Sequence, residues 1–118
     1  MSTERRRTPV LDGPRWRALL EARWQARLTE LTELSLAYHT AAEAIADGQA
    51  SPAQGETPAQ ALLRRAVTAR RALEDVEDAL ARLAAGRYGQ CEQCGAPIPD
   101  GLLALIPETR YCPRCDAG

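Results

Sequence analysis

The residues of this chain best suited to chemistry are four cysteines, all within the last 28 positions, arranged as two C-x-x-C pairs: Cys91 with Cys94 and Cys112 with Cys115. A thiolate is a soft metal ligand, and each C-x-x-C turn delivers two sulfurs from one tight loop. The full spacing, C-x2-C-x17-C-x2-C, falls in the range of four-cysteine zinc sites. Gly95, directly after the second cysteine, and Pro113, between the last two, suit sharp knuckle turns. A redox dithiol is the competing reading, but it needs a single C-x-x-C on a βαβ framework that this pattern lacks. Two disulfides would require an export signal, and no apolar segment follows the N-terminal arginines. The reading is one structural Zn2+ per chain, with Cys91, Cys94, Cys112 and Cys115 as ligands. Four protein sulfurs fill a tetrahedron, so no coordination position remains for a reacting water. There is also no Ser/His/Asp set and no Gly-rich phosphate loop, so the chain is not expected to be an enzyme.

The elements that must position these sulfurs are helices. Ala (22), Leu (15) and Arg (15) dominate a chain of 118 residues that has 16 acidic residues and no Lys. Such a composition favours long amphipathic helices, and the expected fold class is all-α. Residues 1–13 show no periodicity and read as a flexible arm. With Asp12 or Gly13 as cap and Pro14 in the first turn, Leu20, Trp24, Leu28, Leu31, Leu34, Tyr38, Ala41 and Ile45 then recur at steps of three and four. This first helix should end at Asp47-Gly48, after a run of roughly 50 Å.

Residues 48–56 carry Gly, Pro and Ser without apolar pattern and form the tip turn. Thr57-Pro58-Ala59-Gln60 reads as a capping box with Pro at the first helical position. Leu62, Ala66, Ala69, Leu73, Val76, Leu80 and Leu83 form the second helix's heptad seam, closed by Ala85-Gly86. Arg70–Glu74, Arg71–Asp75 and Asp78–Arg82 read as opposite-charge pairs on its outer surface. Residues 14–86 should therefore fold back as an antiparallel coiled-coil hairpin. Residues 87–118 lose helical periodicity and have too few large apolar side chains to fold alone, so metal must hold that finger.

Several functions are excluded at this level. A net charge of −1 argues against non-specific nucleic-acid binding. The finger's Arg87, Arg110 and Arg114 are outnumbered by Glu92, Asp100, Glu108 and Asp116, which argues against direct DNA binding. No apolar run approaches the length of a membrane span, so no membrane partner is expected and the chain is read as cytoplasmic. Each helix's seam is covered by its neighbour, so a monomer is expected.

The segments YGQCEQCGAPIP, GLLALIP and RYCPRC, preceded by ALEDVEDALARLAAGRYG, resemble the zinc finger and entering helix of the DksA/TraR family. The likeness covers about residues 57–115. It implies a non-enzymatic transcription regulator that binds RNA polymerase, with a coiled coil entering the secondary channel, a tip near the active centre and a finger bracing the base. It also implies Cys91, Cys94, Cys112 and Cys115 as zinc ligands. The family's acidic tip motif, D-x-x-D-x-A, falls on GQASPA, where Gly48 and Ser51 stand in place of acids and only Ala53 agrees. Asp47 and Glu56 flank it. The candidate partner contacts at the tip are therefore Asp47, Gly48, Ser51 and Ala53. Basic positions used by some members for guanosine tetraphosphate are Ile106 and Asp116 here, so no alarmone response is expected. The family's C-terminal helix has no counterpart before Gly118.

His39 reads as a solvated surface residue. Trp16 and Trp24, eight apart, should pack against the second helix or the finger, with a partner contact as the alternative for Trp16. Arg5 to Arg7 read as solvated charge. Two functions compete with the polymerase reading: a zinc-stapled nucleic-acid-binding module, and a helical adaptor for another protein.

Overall fold

The structure, a computed structural model, describes residues 13–48 and 55–117. It contains helices α1 (Gly13–Ala46), α2 (Pro58–Ala84), α3 (Asp100–Leu105) and α4 (Pro113–Ala117). No strand occurs among the described residues; an isolated antiparallel bridge joins Gln90 and Pro97. The fold is thus a long helical hairpin followed by a cysteine-bearing finger. No helix among the described residues is long and apolar enough to cross a membrane. The arm, the cap at Asp12, Ser51 and Ala53 lie outside the described residues.

Local sequence explains the helix ends. The Thr57 N–H donates to Gln60 Oε1 at 2.9 Å, and the Gln60 N–H donates to Thr57 Oγ1 at 3.1 Å. That reciprocal box satisfies two orphan amides at the start of α2. At the other end Gly86 takes φ 77°, its N–H reaching the Leu83 carbonyl and the Arg87 N–H reaching that of Arg82. This is a Schellman closure, which favours a residue without Cβ. Gly48, φ 76°, follows the end of α1, its N–H donating to the Ile45 carbonyl at 3.1 Å.

The chain forms two compact units, and α1 and α2 each contribute to both. One comprises residues 25–74. Its buried side chains are Leu31 and Leu34 of α1 and Ala59, Ala69 and Leu73 of α2. Leu28, Tyr38, Ala41, Ile45, Leu62 and Ala66 are half-buried beside them, so the 4-3 spacing of both helices is realised as a seam.

The other unit joins residues up to 24 to residues 75–118. Its core is Trp16 and Leu20 of α1, Val76 and Ala79 of α2, and Tyr88, Cys91, Ile98, Leu103 and Cys112 of the finger. Leu19, Trp24, Leu80, Leu83 and Leu102 pack against this cluster. The finger therefore builds its core with the start of α1 and the end of α2, which offsets its own shortage of apolar side chains.

Beyond residue 87 the helices are α3 and α4, whose six and five residues are too few to display a 3.6-residue period. One expectation needs correcting. The charges of α2 do not simply pair along its outer surface. Arg82 is only 4% exposed, and Asp75 and Asp78 pair with Arg110 of the finger. Trp16 is buried in the core, as the packing expectation had it, and the alternative of a partner contact falls away.

Candidate metal centre

Each cysteine pair sits on a turn its neighbours dictate. In the first knuckle the Gly95 N–H donates to the Cys91 carbonyl at 2.9 Å, and Gly95 adopts φ 78°. The Cys91 N–H then reaches the Ala96 carbonyl at 2.8 Å, and the Ile98 N–H reaches that of Gly89 at 2.8 Å. In the second knuckle Pro113 opens α4 directly after Cys112. The amides of Cys115 and Asp116 both bond the Cys112 carbonyl, at 3.1 and 2.9 Å. The two knuckles are tied together by the Glu92 N–H, which donates to the Arg110 carbonyl at 2.8 Å.

These turns bring the four thiols together. Their sulfurs all lie within 4.8 Å of one another, and Cys94 Sγ is 3.7 Å from Cys112 Sγ. A tetrahedron with Zn–S bonds of about 2.3 Å has edges of about 3.8 Å. The donor set therefore fits zinc in both chemistry and spacing. Cys91 and Cys112 face the core, Cys115 is half-buried, and Cys94 is exposed.

The electrostatics favour the thiolates of Cys91 and Cys112. Burial raises the Cys91 thiol, but backbone N–H groups of Cys112, Cys94 and Gln93 outweigh it and bring the group down to about 6. The Cys115 amide leads in lowering Cys112. Cys115 is pushed up to about 12, chiefly by hydrogen bonding with Cys91 and then by burial. Two thiols held low beside a third held high are the pattern of a cluster whose negative charge calls for a cation. A bound Zn2+ would keep all four sulfurs as thiolates. With every position filled by protein, the chemistry it supplies is structural cross-linking.

The mounting of this centre is a set of contacts that the sequence does not announce. Trp16 and Tyr88 stack at a tilt, ring centroids 5.8 Å apart. The Tyr88 hydroxyl donates to the Pro107 carbonyl at 2.8 Å within the core. Burial, ahead of the neighbouring charges, raises the Tyr88 phenol to about 12. Arg23 of α1 grips Glu108 Oε2 through Nε at 3.2 Å and Nη2 at 2.8 Å. Arg110 joins Asp75 and Asp78 of α2 and comes within 3.7 Å of Glu92. The Asp78 hydrogen bond, first among several contacts, holds the Arg110 guanidinium above its usual value. Arg82 reaches the carbonyls of Glu108 and Thr109 at 3.4 Å, and its Nη1 lies 3.6 Å from Glu92. Its burial lowers it from the usual arginine value, opposed by Glu92.

Sequence reasoning placed the four cysteines but missed Arg23, Arg82 and Arg110. The usable signal was weak: two acids three apart on α2, and an arginine two residues before Cys112. The tip residues behave differently. Asp47 and Gly48 are exposed at the end of α1, and the structure brings neither of them to the cysteine cluster.

Comparison with known proteins follows this division. Residues 86–117 match the family described as the prokaryotic dksA/traR C4-type zinc finger. An uncharacterized protein of Aquifex aeolicus (strain VF5) is 46% identical over 43 residues, which is 36% of this chain and 30% of that one. The uncharacterized protein YlyA of Bacillus subtilis (strain 168) is 47% identical over 38 residues, 32% of this chain and 31% of that one. These matches span about a third of the curated relatives' length. The structure of transcription factor DksA2 from Pseudomonas aeruginosa is similar over 89% of this chain and 74% of that chain. Its TM-score is 0.51 and its sequence identity 28%. The likeness to that structure therefore extends through the helices as well as the finger.

Proposed function

We propose that this chain regulates transcription in the cytoplasm by binding RNA polymerase, with its hairpin inserted into the secondary channel and zinc serving only as a brace. The observation that carries the reading is the pairing of a DksA/TraR-type finger at residues 86–117 with a DksA2-like arrangement over most of the chain. In this reading Cys91, Cys94, Cys112 and Cys115 hold one Zn2+. The cross-linked finger, clamped by Tyr88, Arg23, Arg82 and Arg110, keeps the ends of α1 and α2 together. Rigidity there matters because a probe helix delivers its tip to a defined place only if its base is fixed.

The tip contacts in this reading are Asp47, Gly48, Ser51 and Ala53. Charge-assisted contacts are the strong ones, and with Gly48 and Ser51 in place of the motif's acids the tip lacks them, Asp47 being only a neighbouring carboxylate. Regulation then proceeds mainly by occupying the channel. The test is co-purification of the zinc-loaded chain with core RNA polymerase, with a known channel-binding factor as competitor. Saturable binding that the competitor displaces supports the reading. Absence of binding by metal-loaded, folded protein overturns it.

A further inference from the structure

The unit formed by residues 25–74 carries a groove of about 420 Å³ that the hairpin's own seam leaves open. On the α2 side it is lined by Leu63, Val67, Arg70 and Glu74, at steps of four, three and four. On the α1 side Leu31, Ser35 and Tyr38 recur at four and three. Those are heptad steps. They are offset by one residue from the α2 seam of Leu62, Ala66, Ala69 and Leu73. Thus α2 has two adjacent stripes. One is covered by α1, while on the other Leu63 and Val67 remain 46% and 45% exposed. Leu31 and Tyr38 belong to the covered seam, so the unpartnered row is that of α2, and a helix with a stripe wider than one neighbour can cover is shaped for a second neighbour.

The charge along the groove says what kind of helix. Beyond Leu63 and Val67 come Arg70 and Arg71, both exposed and, among the described residues, in no ion pair. Arg71's partner by helical spacing, Asp75, is bound to Arg110 instead. Among the described residues Glu74 is the only acid lining the groove. The seat is therefore apolar at one end and basic at the other.

We propose that this groove receives an acidic amphipathic α-helix of another protein, its apolar residues four apart against Leu63 and Val67 and its carboxylates against Arg70 and Arg71. The apolar pair supplies burial and the arginines supply direction and steering. The proposal stands apart from the polymerase reading.

The test uses the full zinc-loaded chain and labelled helical peptides of about 18 residues, roughly 27 Å of helix. One peptide carries glutamates beside its apolar stripe, a second carries lysines at the same positions, and a short random-sequence DNA duplex is the third probe. The glutamate peptide should bind at least about tenfold more tightly than the lysine peptide. The double variant R70E/R71E should reverse that order. The double variant L63A/V67A should weaken both peptides by about tenfold. All four side chains are exposed, and circular dichroism should show unchanged helicity in both variants. Equal affinity for the two peptides overturns the proposal, as does indifference to R70E/R71E. So does tighter binding of the duplex than of the glutamate peptide through the same arginines, or self-association of the wild-type chain that L63A/V67A abolishes.

Discussion

The indole of Trp16, in the first turn of α1, and the ring of Tyr88, two residues past the end-cap Gly86 of α2, lie 5.8 Å apart between centroids at 49°. This pair closes the unit that carries the cysteines. Seventy-odd residues separate the two in sequence, and they meet because the start of α1 and the end of α2 share one core.

Trp16→Ala removes the larger member of that pair from a position 4% exposed. The expected loss is about 3–5 kcal/mol, as for other buried large-to-small aromatic changes. Chemical denaturation of the zinc-loaded protein measures it. A loss below about 1 kcal/mol would mean that the site collapses around the smaller side chain or contributes little.

Tyr88 should make stability fall at alkaline pH. Its folded-state value, about 12, lies above the usual 10. The folded form therefore favours the protonated phenol, and this contribution is complete below pH 10 and fades as pH rises from 10 towards 12. Tyr88→Phe should flatten that part of the stability–pH curve while leaving the Pro107 carbonyl without its donor, at a cost of about 1–3 kcal/mol. An unchanged curve would exclude Tyr88 as its source.

Removing the metal should unfold more than the finger. Cys91 and Cys112 belong to the same core as Trp16, Leu20, Val76 and Tyr88. Structural zinc in finger peptides contributes about 10–16 kcal/mol of apparent binding energy. Metal analysis should give one zinc per chain. Chelation, or Cys91→Ser, should expose Trp16 and shift its fluorescence, with the 25–74 seam retaining most of its helical signal. Persistence of the native Trp16 signal after complete zinc removal would contradict this.

Leu73→Ala tests the other unit. Leu73 is 7% exposed in the 25–74 seam, and truncation should cost about 2–5 kcal/mol. Zinc stoichiometry should not change, because no ligand lies in that unit. Loss of zinc in this variant would show that the two units do not hold their structure separately.

At the tip, Asp47→Asn should leave transcriptional output and polymerase binding unchanged if channel occupancy is the mode of action. A tip rebuilt with Asp at positions 48 and 51 should gain inhibition of promoters that acidic-tip relatives control. Guanosine tetraphosphate should not enhance either protein, given Ile106 and Asp116. In-vitro transcription decides the matter, and loss of regulation in Asp47→Asn with binding intact would make Asp47 a working tip acid.

The hairpin and the metal cluster could be read from the sequence because both depend on short-range spacing. A 4-3 apolar step puts Leu31, Leu34, Leu73 and Val76 on one face of their helices wherever the chain goes. Two C-x-x-C turns each deliver a sulfur pair from residues three apart, and Thr57, Gln60 and Gly86 mark helix ends through bonds made within the same turn. How the finger is mounted on α1 and α2 was decided only by tertiary structure. The sequence places Asp75 four residues from Arg71 and Asp78 four from Arg82, and local pairing was the natural expectation. Folding brought Arg110 to both acids and buried Arg82 beneath the Glu108 and Thr109 carbonyls. An exposed local pair is worth only about 0.3–0.5 kcal/mol, so charges go where burial and distant partners take them. Apolar periodicity survives such competition because burying a large side chain contributes about 1.5–3 kcal/mol.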